Sequence, residues 1–386
     1  MEYDLIISQN KKIGLFTDIH YGKNKDDLKK LEQMDKCVDW IIDTFKTNGV
    51  DYVFFLGDLF ESRFCINVHT LNKATEAIKK LCDNFEKVFM ILGNHDIYYK
   101  NINNINSVKI FKDLADNITI IEDKPLFLNL YGHSLALIPW GIDLNQIFSN
   151  IDQPFDYVFG HFEINGMELV GSVQTGADYD MSTLYKLSPY TFTGHYHISK
   201  IYGNKNHKIN SLGCPLQLDW GDFNKSKYIA ILDLAQDQKN KIQMYENTIN
   251  SRFEKIYLSK LKSGIYTDLN QFVKNNYIKF VVDDTCDFNE VLQYSNNIKQ
   301  LNPLSVEVEY LHSLTDDVDF DSVDISVEES KDILQYIIEY TTNVYEEIVK
   351  NDPNTEINKD CLIRIAISYY NKCREGSDNQ PKDSDE

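Results

Sequence analysis

The amino-acid sequence predicts an α/β fold in which helices cover layers of β-sheet, followed by smaller C-terminal parts. Short apolar runs rich in β-branched and aromatic residues alternate with stretches of helical periodicity, beginning with a strand at 12–16 and a helix at 28–47. Each apolar run also ends in a glycine or a short polar turn, as strands do when they deliver side chains to one edge of a sheet. The length of 386 residues suffices for one large domain and smaller additions.

The individual elements follow from residue periodicity. We predict strands at 12–16, 52–56, 88–92, 135–139, 157–159 and 190–193. Helices are predicted between the early strands at 28–47 and 68–81, and a later strand pair at 208–212 and 227–234. Together these elements predict a first domain over residues 1–240.

A different pattern begins at residue 241. Candidate strands at 252–258, 277–282 and 305–311 surround a candidate helix at 288–299. This arrangement predicts a small α+β domain over residues 241–312.

The last part of the chain is first acidic and then amphipathic. Asp and Glu dominate residues 313–330, which predicts a solvated linker. Two amphipathic stretches at 331–350 and 358–372 flank turn-forming residues and predict a helical hairpin over 331–375. Residues 376–386 are polar and are predicted to be disordered.

Composition excludes several classes of protein. Apolar residues make up 42% of the chain, and no apolar run is long enough to span a bilayer. The net charge is −20, with 7 basic and 21 acidic residues in 301–386, so the acidity lies mostly in the tail and argues mildly against nucleic-acid binding. The seven cysteines include no C-x-x-C pair, which argues against disulfides and structural zinc. We therefore expect a reducing intracellular compartment such as the cytoplasm.

Five strand ends carry hydrogen-bonding or metal-ligating side chains. They read Asp18-Ile19-His20, Gly57-Asp58, Gly93-Asn94-His95-Asp96, Gly160-His161 and Gly194-His195-Tyr196-His197. Any one of them could be an ordinary turn, but independent turns would not supply so many compatible ligands. Because the carboxyl ends of strands in α/β folds form the functional edge, we expect the five segments to build one site.

The ligand types predict the chemistry of that site. Seven side chains offer oxygen or nitrogen donors, namely Asp18, His20, Asp58, Asn94, His161, His195 and His197. This set suits first-row divalent ions such as manganese or iron rather than thiolate zinc or a calcium cage. One ion rarely takes seven such ligands, whereas two ions about 3.5 to 4 Å apart, sharing a carboxylate, promote in-line attack on a phosphate ester. The sequence therefore predicts phosphoester hydrolysis.

The five segments, in this order, resemble the signature motifs of the calcineurin-like metallophosphoesterase superfamily. Within it the chain is most similar to the SbcD-type nucleases of double-strand-break repair, the meiotic recombination eleven family, and to their phage-encoded members. The blocks at 16–22 and 57–63, the strand at 138–140 and the acidic linker with its hairpin carry this finer similarity. The resemblance implies a four-layer α/β/β/α sandwich, a capping domain that contacts DNA, and a hairpin that docks a partner.

The resemblance also implies roles for individual residues. One ion would be held by Asp18, His20 and His197 and the other by Asn94, His161 and His195, with Asp58 bridging the two. His95 would face the scissile phosphate as a catalytic residue, and Asp96 would orient His95.

By the same resemblance, we expect a manganese-dependent DNA exonuclease and endonuclease that uses two Mn²⁺ ions. It would be the nuclease subunit of a complex that processes DNA double-strand breaks for recombination. Its partners would be DNA, an SbcC-type coiled-coil ATPase and a second copy of this chain, as a homodimer within a heterotetramer, with no membrane involved. A phage-encoded protein of this kind would act in the host cytoplasm.

Other interpretations remain open. The chain could be a phosphatase or cyclic-nucleotide phosphodiesterase of the same superfamily, although residues 61–64 replace the Asp-Arg-Gly run typical of protein phosphatases. It could also be a scaffold with a vestigial metal site, although the complete ligand set argues against this. Some relatives place a substrate-contacting histidine where this chain has Glu61. Lysines after the first and last motifs could form a basic rim or be ordinary solvated residues: Lys23, Lys25, Lys29, Lys30, Lys200, Lys205 and Lys208.

Overall fold

Parallel pairing of neighbouring strands organises the first part of the chain. The structure is a computed structural model that describes residues 4–6, 11–100, 102–148, 153–169, 172–173, 176–177, 179–236, 241–284 and 288–311, with a few helical residues between 340 and 366. The chain divides into two units, residues 1–312 and 313–386.

The strands are β1 (Asp4–Ile6), β2 (Lys12–Phe16), β3 (Tyr52–Phe55), β4 (Lys87–Ile91), β5 (Ile97–Tyr99), β6 (Ile102–Asn106), β7 (Ile118–Ile121), β8 (Leu126–Leu130), β9 (His133–Ile138), β10 (Tyr157–His161), β11 (Ile164–Asn165), β12 (Glu168–Leu169), β13 (Ser172–Val173), β14 (Tyr179–Asp180), β15 (Tyr190–Gly194), β16 (Lys200–Gly203), β17 (Lys208–Ser211), β18 (Tyr228–Asp233), β19 (Ile242–Glu246), β20 (Phe253–Tyr257), β21 (Tyr277–Val282) and β22 (Ser305–Tyr310). The helices are α1 (Lys23–Asp26), α2 (Leu28–Thr47), α3 (Val68–Asn84), α4 (Leu144–Phe148), α5 (Met181–Leu187), α6 (Leu258–Lys262), α7 (Asn270–Val273) and α8 (Phe288–Gln300). Two single turns of 3₁₀ helix lie at Val108–Phe111 and Trp220–Asp222.

Two sheets form the first unit's main body. The six-stranded sheet has the order β19-β18-β2-β3-β4-β7, and β2, β3, β4 and β7 are parallel neighbours. The seven-stranded sheet has the order β1-β8-β9-β10-β15-β17-β16, with β9, β10, β15 and β17 parallel. Strand β19 pairs antiparallel with β18, so the six-stranded sheet extends to Glu246, beyond the predicted domain boundary at residue 240.

Alternating side chains divide this body into layers. Val53 and Phe55 of β3 belong to a core with α2 and α3, while Phe54 points into a second core between the two sheets. On the other sheet, Leu137 of β9 joins that same inter-sheet core, and its neighbour Ile138 packs in a third core with α4 and α5. The order of layers is therefore helix, sheet, sheet, helix. The predicted four-layer α/β/β/α fold is confirmed.

The α2 helix shows why the outer layer forms. Its buried residues recur at helical spacing along one face, including Leu31, Met34, Ile41 and Phe45. The Asp27 carboxylate accepts the backbone N–H of Lys30 and caps the start of the helix.

A separate small core lies in residues 253–310. Strands β20, β21 and β22 form a three-stranded parallel sheet, and α8 packs on it. The buried Lys30 of α2 donates to the carbonyl of Gln217 at 2.5 Å and lies about 5 Å from the rings of Phe253 and Tyr277. This buried cation joins the body to the small sheet.

The second unit contains few described residues. Residues 340–342, 344–346 and 348–350 are helical, as are 359, 362, 363 and 366. The predicted linker at 313–330, the predicted tail at 376–386 and most of the predicted hairpin lie outside the described residues. Within the described residues, no helix combines the length and apolarity that a membrane span requires.

Candidate metal centre

The five predicted segments meet at the carboxyl ends of five strands. Asp18 and His20 follow β2, Asp58 follows β3, and residues 94–96 follow β4, so three neighbouring parallel strands supply them. In the facing sheet, His161 ends β10 and the segment 195–197 follows β15, its parallel neighbour. Parallel register therefore places all the predicted residues at one edge of the sandwich.

The first group of ligands consists of Asp18, His20 and His197, whose donor atoms lie within 4.8 Å of one another. The Nε2 atoms of His20 and His197 are 3.1 Å apart. Oδ1 of Asp18 lies 3.6 Å from His20 Nε2 and 3.9 Å from His197 Nε2. These are the three residues that the resemblance assigns to one ion.

The second group consists of Asp58, His161 and His195, again within 4.8 Å, joined by Asn94. Oδ1 of Asn94 lies 3.0 Å from a ring nitrogen of each histidine. Asp58 connects the two groups because its Oδ2 lies 3.3 Å from His161 Nε2 and 3.8 Å from His20 Nε2.

Two glycines allow this close approach. Gly57 has φ 94°, and a Cβ there would lie 2.6 Å from the backbone nitrogen of Gly93 and 2.7 Å from Nδ1 of His161. A Cβ on Gly93 would run into Asp58. Any larger residue at either position would push the ligand loops apart.

Hydrogen bonds fix which ring nitrogens face the centre. Nδ1 of His161 lies 2.7 Å from the carbonyl oxygen of Leu56, which can only accept, so this nitrogen carries a proton. Nδ1 of His20 lies 2.8 Å from a carboxylate oxygen of Glu61, and the negative charge of this ion-pair partner favours a proton on the ring. Both rings therefore direct Nε2 into the site, as metal-binding histidines do.

The donor set fits divalent metal ions. Oδ1 of Asp18 is buried and makes no hydrogen bond to any described residue, although a carboxylate oxygen in that position needs a partner. The facing nitrogens of His20 and His197 cannot both present lone pairs at 3.1 Å unless a cation or a proton lies between them. Carboxylate, amide and imidazole donors are those that first-row divalent ions take.

Mutual charge sets the protonation of these groups. Burial alone would lower the pKa of His20, but Asp18, Glu61 and Asp58 raise it to about 10. In the same way Asp58 overcomes burial and raises the pKa of His161 to about 9. Burial and the charge of His161 lower the pKa of His195 to about 4, so this ring is neutral.

The two predicted catalytic residues both contact Asp58. The backbone N–H of His95 donates to Oδ1 of Asp58 at 2.8 Å, and its ring centroid is 4.9 Å from that of His20. Asp96 contacts the backbone of the ligand loops. Its buried carboxylate accepts the backbone N–H groups of Gly93, Asp58 and Leu59 at 2.8 to 3.1 Å. The His95 ring is oriented by the carbonyl oxygen of Glu61, 2.6 Å from its Nδ1.

Sequence analysis missed the part that Glu61 plays. Its carboxylate faces Nδ1 of His20 and pairs with Lys23 at 3.0 Å, while its carbonyl contacts His95. One residue thus orients both a metal ligand and the predicted catalytic histidine. The signal that could have revealed this role was its position three residues after Asp58, where some relatives place a substrate-contacting histidine.

The proposed basic rim is only partly available to a phosphate chain. Lys30 is buried, and Lys29 donates to the carbonyl of Leu304. Lys23 pairs with Glu61 and Asp219, and Lys200 pairs with Glu168. The prediction is therefore wrong for Lys30, because helical periodicity places it on the packed side of α2.

Metal binding should release protons and strengthen with rising pH. With pKa values of about 10 and 9, His20 and His161 both carry an extra proton at pH 7 that a metal must displace. The affinity for Mn²⁺ should therefore rise by up to about tenfold per displaced proton for each pH unit below pH 9. Calorimetric titrations in buffers of different ionisation enthalpy measure the released protons.

The variant His207→Gln, at a histidine outside both ligand groups, serves as the control and should give the same proton release as the parent. A Mn²⁺ affinity that stays constant between pH 6 and 8 would contradict the assignment of His20 and His161.

Comparison with known proteins finds similar sequences. Residues 11–199 match the family model described as calcineurin-like phosphoesterase. Exonuclease subunit 1 of Enterobacteria phage T4 is 25% identical over 307 residues, covering 76% of this chain and 88% of the relative.

Two solved structures also match the chain. A novel archaeal phosphodiesterase is 14% identical with a TM-score of 0.33, covering 61% of this chain and 99% of that one. A protein of Thermus thermophilus is 12% identical with a TM-score of 0.37, covering 62% and 99%.

The family match covers all five ligand segments, and the structure gathers those segments into one centre. Residues 11–199 thus form a calcineurin-like phosphoesterase domain, which makes the chain a metal-dependent phosphoesterase.

Proposed function

We propose that the chain is a manganese-dependent DNA nuclease that cleaves phosphodiester bonds with two metal ions. The observation that carries this proposal is the pair of ligand groups joined by Asp58, with His95 beside both. The similarity to a phage exonuclease subunit over most of both chains supports DNA as the substrate. An exonuclease and endonuclease in a complex for double-strand-break processing is the proposed setting, in the cytoplasm of the cell or phage host.

The side chains have distinct tasks in this proposal. Asp18, His20 and His197 would hold one ion, and Asn94, His161 and His195 the other, with Asp58 shared. When bound, the two ions would lower the pKa of the attacking water and neutralise charge on the phosphoryl oxygens. The protein's own contribution is to hold the ligand loops rigid, through Asp96 and the close contact of Gly57 with Gly93.

His95 is suited to handle a proton near the scissile bond. Its Nδ1 is occupied by the carbonyl of Glu61, so Nε2 is the nitrogen that remains for substrate. Its backbone N–H is bound to Asp58, which keeps the ring beside the ligands rather than among them. Stabilising the phosphorane-like transition state or protonating the leaving oxygen is therefore its proposed role.

His95→Ala should separate chemistry from metal binding. The variant should keep its Mn²⁺ and its DNA affinity but lose roughly 10² to 10⁴-fold in cleavage rate, the usual contribution of a general acid or base. Asp58→Ala should lose both the metal and the activity, because Asp58 touches both ligand groups. Rates are measured with labelled linear duplex, single-stranded DNA and a chromogenic phosphomonoester in parallel, with Mn²⁺ present.

The substrate panel also tests the alternative. Hydrolysis of the monoester or of a cyclic nucleotide without cleavage of either DNA would favour a phosphatase or cyclic-nucleotide phosphodiesterase. Loss of Mn²⁺ from His95→Ala would mean that His95 is itself a ligand.

A second copy of the chain is the first proposed partner. Apolar side chains lie exposed where the loop after β3 meets the β5–β6 hairpin: Phe64, Val68, Tyr98, Tyr99, Ile102 and Ile105. The Phe64 and Tyr98 rings pack edge to face at 5.6 Å, and Tyr98 packs on Tyr99 at 4.8 Å. The six exposed residues are here called the hairpin patch. Exposed apolar surface of this kind is typical of a protein interface.

Ile102→Glu should break the proposed dimer. A charge placed in the centre of an apolar interface would raise the dimer dissociation constant at least about 100-fold, because the carboxylate would be buried without a partner. Sedimentation equilibrium measures this change. Ile201 is also an exposed isoleucine but lies outside the hairpin patch, so Ile201→Glu should leave the dimer dissociation constant unaltered. A parent protein that stays monomeric at all concentrations would exclude the dimer.

An SbcC-type coiled-coil ATPase is the second proposed partner, and the predicted hairpin at 331–375 is its proposed docking site. Apolar residues recur at helical spacing in both stretches of that segment. The acidic linker before it favours a segment that is free to reach another protein.

Truncation after Thr315 should abolish co-purification with the ATPase subunit. Metal-dependent cleavage of short DNA should persist, because every proposed ligand lies before residue 200. A matched truncation at Gly376, which removes only the polar tail, should keep the partner bound. Undiminished binding by the shorter protein would place the docking site elsewhere.

A further inference from the structure

A buried cluster of side chains holds the backbone beneath the ligand His197. Nζ of Lys227 donates to the carbonyl oxygen of His197 at 2.9 Å. Oγ of Ser211 lies 2.8 Å from the carbonyl of Ile198 and 3.3 Å from that of Tyr196. The three consecutive carbonyl groups of residues 196–198 therefore all accept hydrogen bonds from buried side chains.

Lys227 is a buried cation whose three N–H groups all have hydrogen-bond partners. Only 3% of its side chain is exposed, and its three N–H groups meet the His197 carbonyl, the Asp222 carboxylate and Sγ of Cys214, the last at 3.0 Å. The other Asp222 oxygen accepts the backbone N–H of Leu218 at 2.7 Å. A buried ammonium group is tolerated only with such complete pairing, so Lys227 has little freedom to move.

The His197 ring depends on its backbone for orientation more than the His20 and His161 rings do. Nδ1 of His20 lies 2.8 Å from a carboxylate oxygen of Glu61, and Nδ1 of His161 lies 2.7 Å from the carbonyl oxygen of Leu56. Among the residues that the structure describes, Nδ1 of His197 has no such hydrogen bond, and about 20% of its side chain is exposed. Its ring angle must therefore come from the position of the main chain.

We propose that Lys227, paired with Asp222 and Cys214, is a positioning residue that aims His197 at Asp18 and His20. It acts through the His197 carbonyl and touches neither substrate nor the reacting atoms. The role is specific to one of the two ligand groups, because the described contacts of Lys227 include neither Asn94 nor His161. The inference rests on the two-ion site proposed above.

Lys227→Met should weaken Mn²⁺ binding at one ligand group and spare the other. Loss of a group that orients a metal ligand typically costs 10 to 100-fold in metal affinity. Calorimetry of the full-length protein should therefore show one Mn²⁺ affinity reduced by about that factor and the other unchanged. Electron paramagnetic resonance at low Mn²⁺ should show isolated ions where the parent shows a coupled pair.

A matched control separates this effect from the loss of any buried lysine. Lys241 is 7% exposed, and its Nζ donates to the hydroxyl of Tyr157 at 2.6 Å, away from the ligands. Lys241→Met should keep both Mn²⁺ affinities. If it lowers one of them as much as Lys227→Met does, the effect is a general loss of stability and the proposal is wrong.

A second variant covers the case in which Lys227→Met does not fold. The double variant Lys227→Met with Asp222→Asn removes both charges and keeps an oxygen for the N–H of Leu218, so no charge is left buried alone. It should show the same selective loss at one site, because the donor to the His197 carbonyl is still missing.

Hydrogen exchange of the metal-free protein tests the inference independently of the ions. Peptides covering residues 194–199 should exchange faster in the double variant than in Lys241→Met. Unchanged exchange with unchanged Mn²⁺ affinities would overturn the positioning role. The parent protein could instead bind a single Mn²⁺ ion while residues 194–199 exchange faster in the double variant. That result would overturn the two-ion proposal and leave the positioning role of Lys227 standing.

Discussion

The carboxylate of Asp58 imposes the constraint on which the site depends. It is buried between His20 of one sheet's edge and His161 of the other, 3.8 and 3.3 Å from their Nε2 atoms. An ionised carboxylate removed from water costs several kcal/mol unless opposite charge and hydrogen bonds offset the loss of hydration. The two imidazoles supply that charge as protons and hold the pKa of Asp58 below its usual range despite burial. Divalent ions held by these residues would satisfy the same requirement and would supply the charge that phosphoester hydrolysis needs.

The backbone around the ligands is strained to meet this constraint. Asp18, His20, Asp58 and His195 all have positive φ, between 55° and 81°. Each such residue costs about 1 to 3 kcal/mol and persists only where its surroundings determine it fully. The loops are held by backbone hydrogen bonds from Asp18 to Gly57 and from His20 to Asp58, at 3.0 and 3.2 Å. Packing in the cores of the sandwich offsets the free-energy cost of these strained residues. The resulting rigid loops keep the ligands in place.

The sequence by itself determined the class of the molecule and the composition of its site. Alternation of apolar runs with helical stretches predicted the layered α/β fold, because periodicity is a local property of the chain. The candidate ligand residues could be grouped because each follows or ends a strand, as Asp18 follows β2 and His161 ends β10. Parallel strands place such positions at one edge whatever their separation in the chain, so seven donors could be grouped without coordinates.

Only the tertiary structure decided how those residues are oriented. Glu61 faces His20, Asp96 binds the turn at Asp58 rather than His95, and Lys227 supports the carbonyl of His197. Each of these contacts joins segments between 30 and 41 residues apart, and nothing in either segment's local pattern specifies the pairing. The sequence also did not indicate that Lys30 is buried, because a lysine in an amphipathic stretch is ordinarily solvated. Strand periodicity fixes which face a residue occupies, whereas contacts between loops depend on the paths that the loops take after neighbouring strands and on how the two sheets pack.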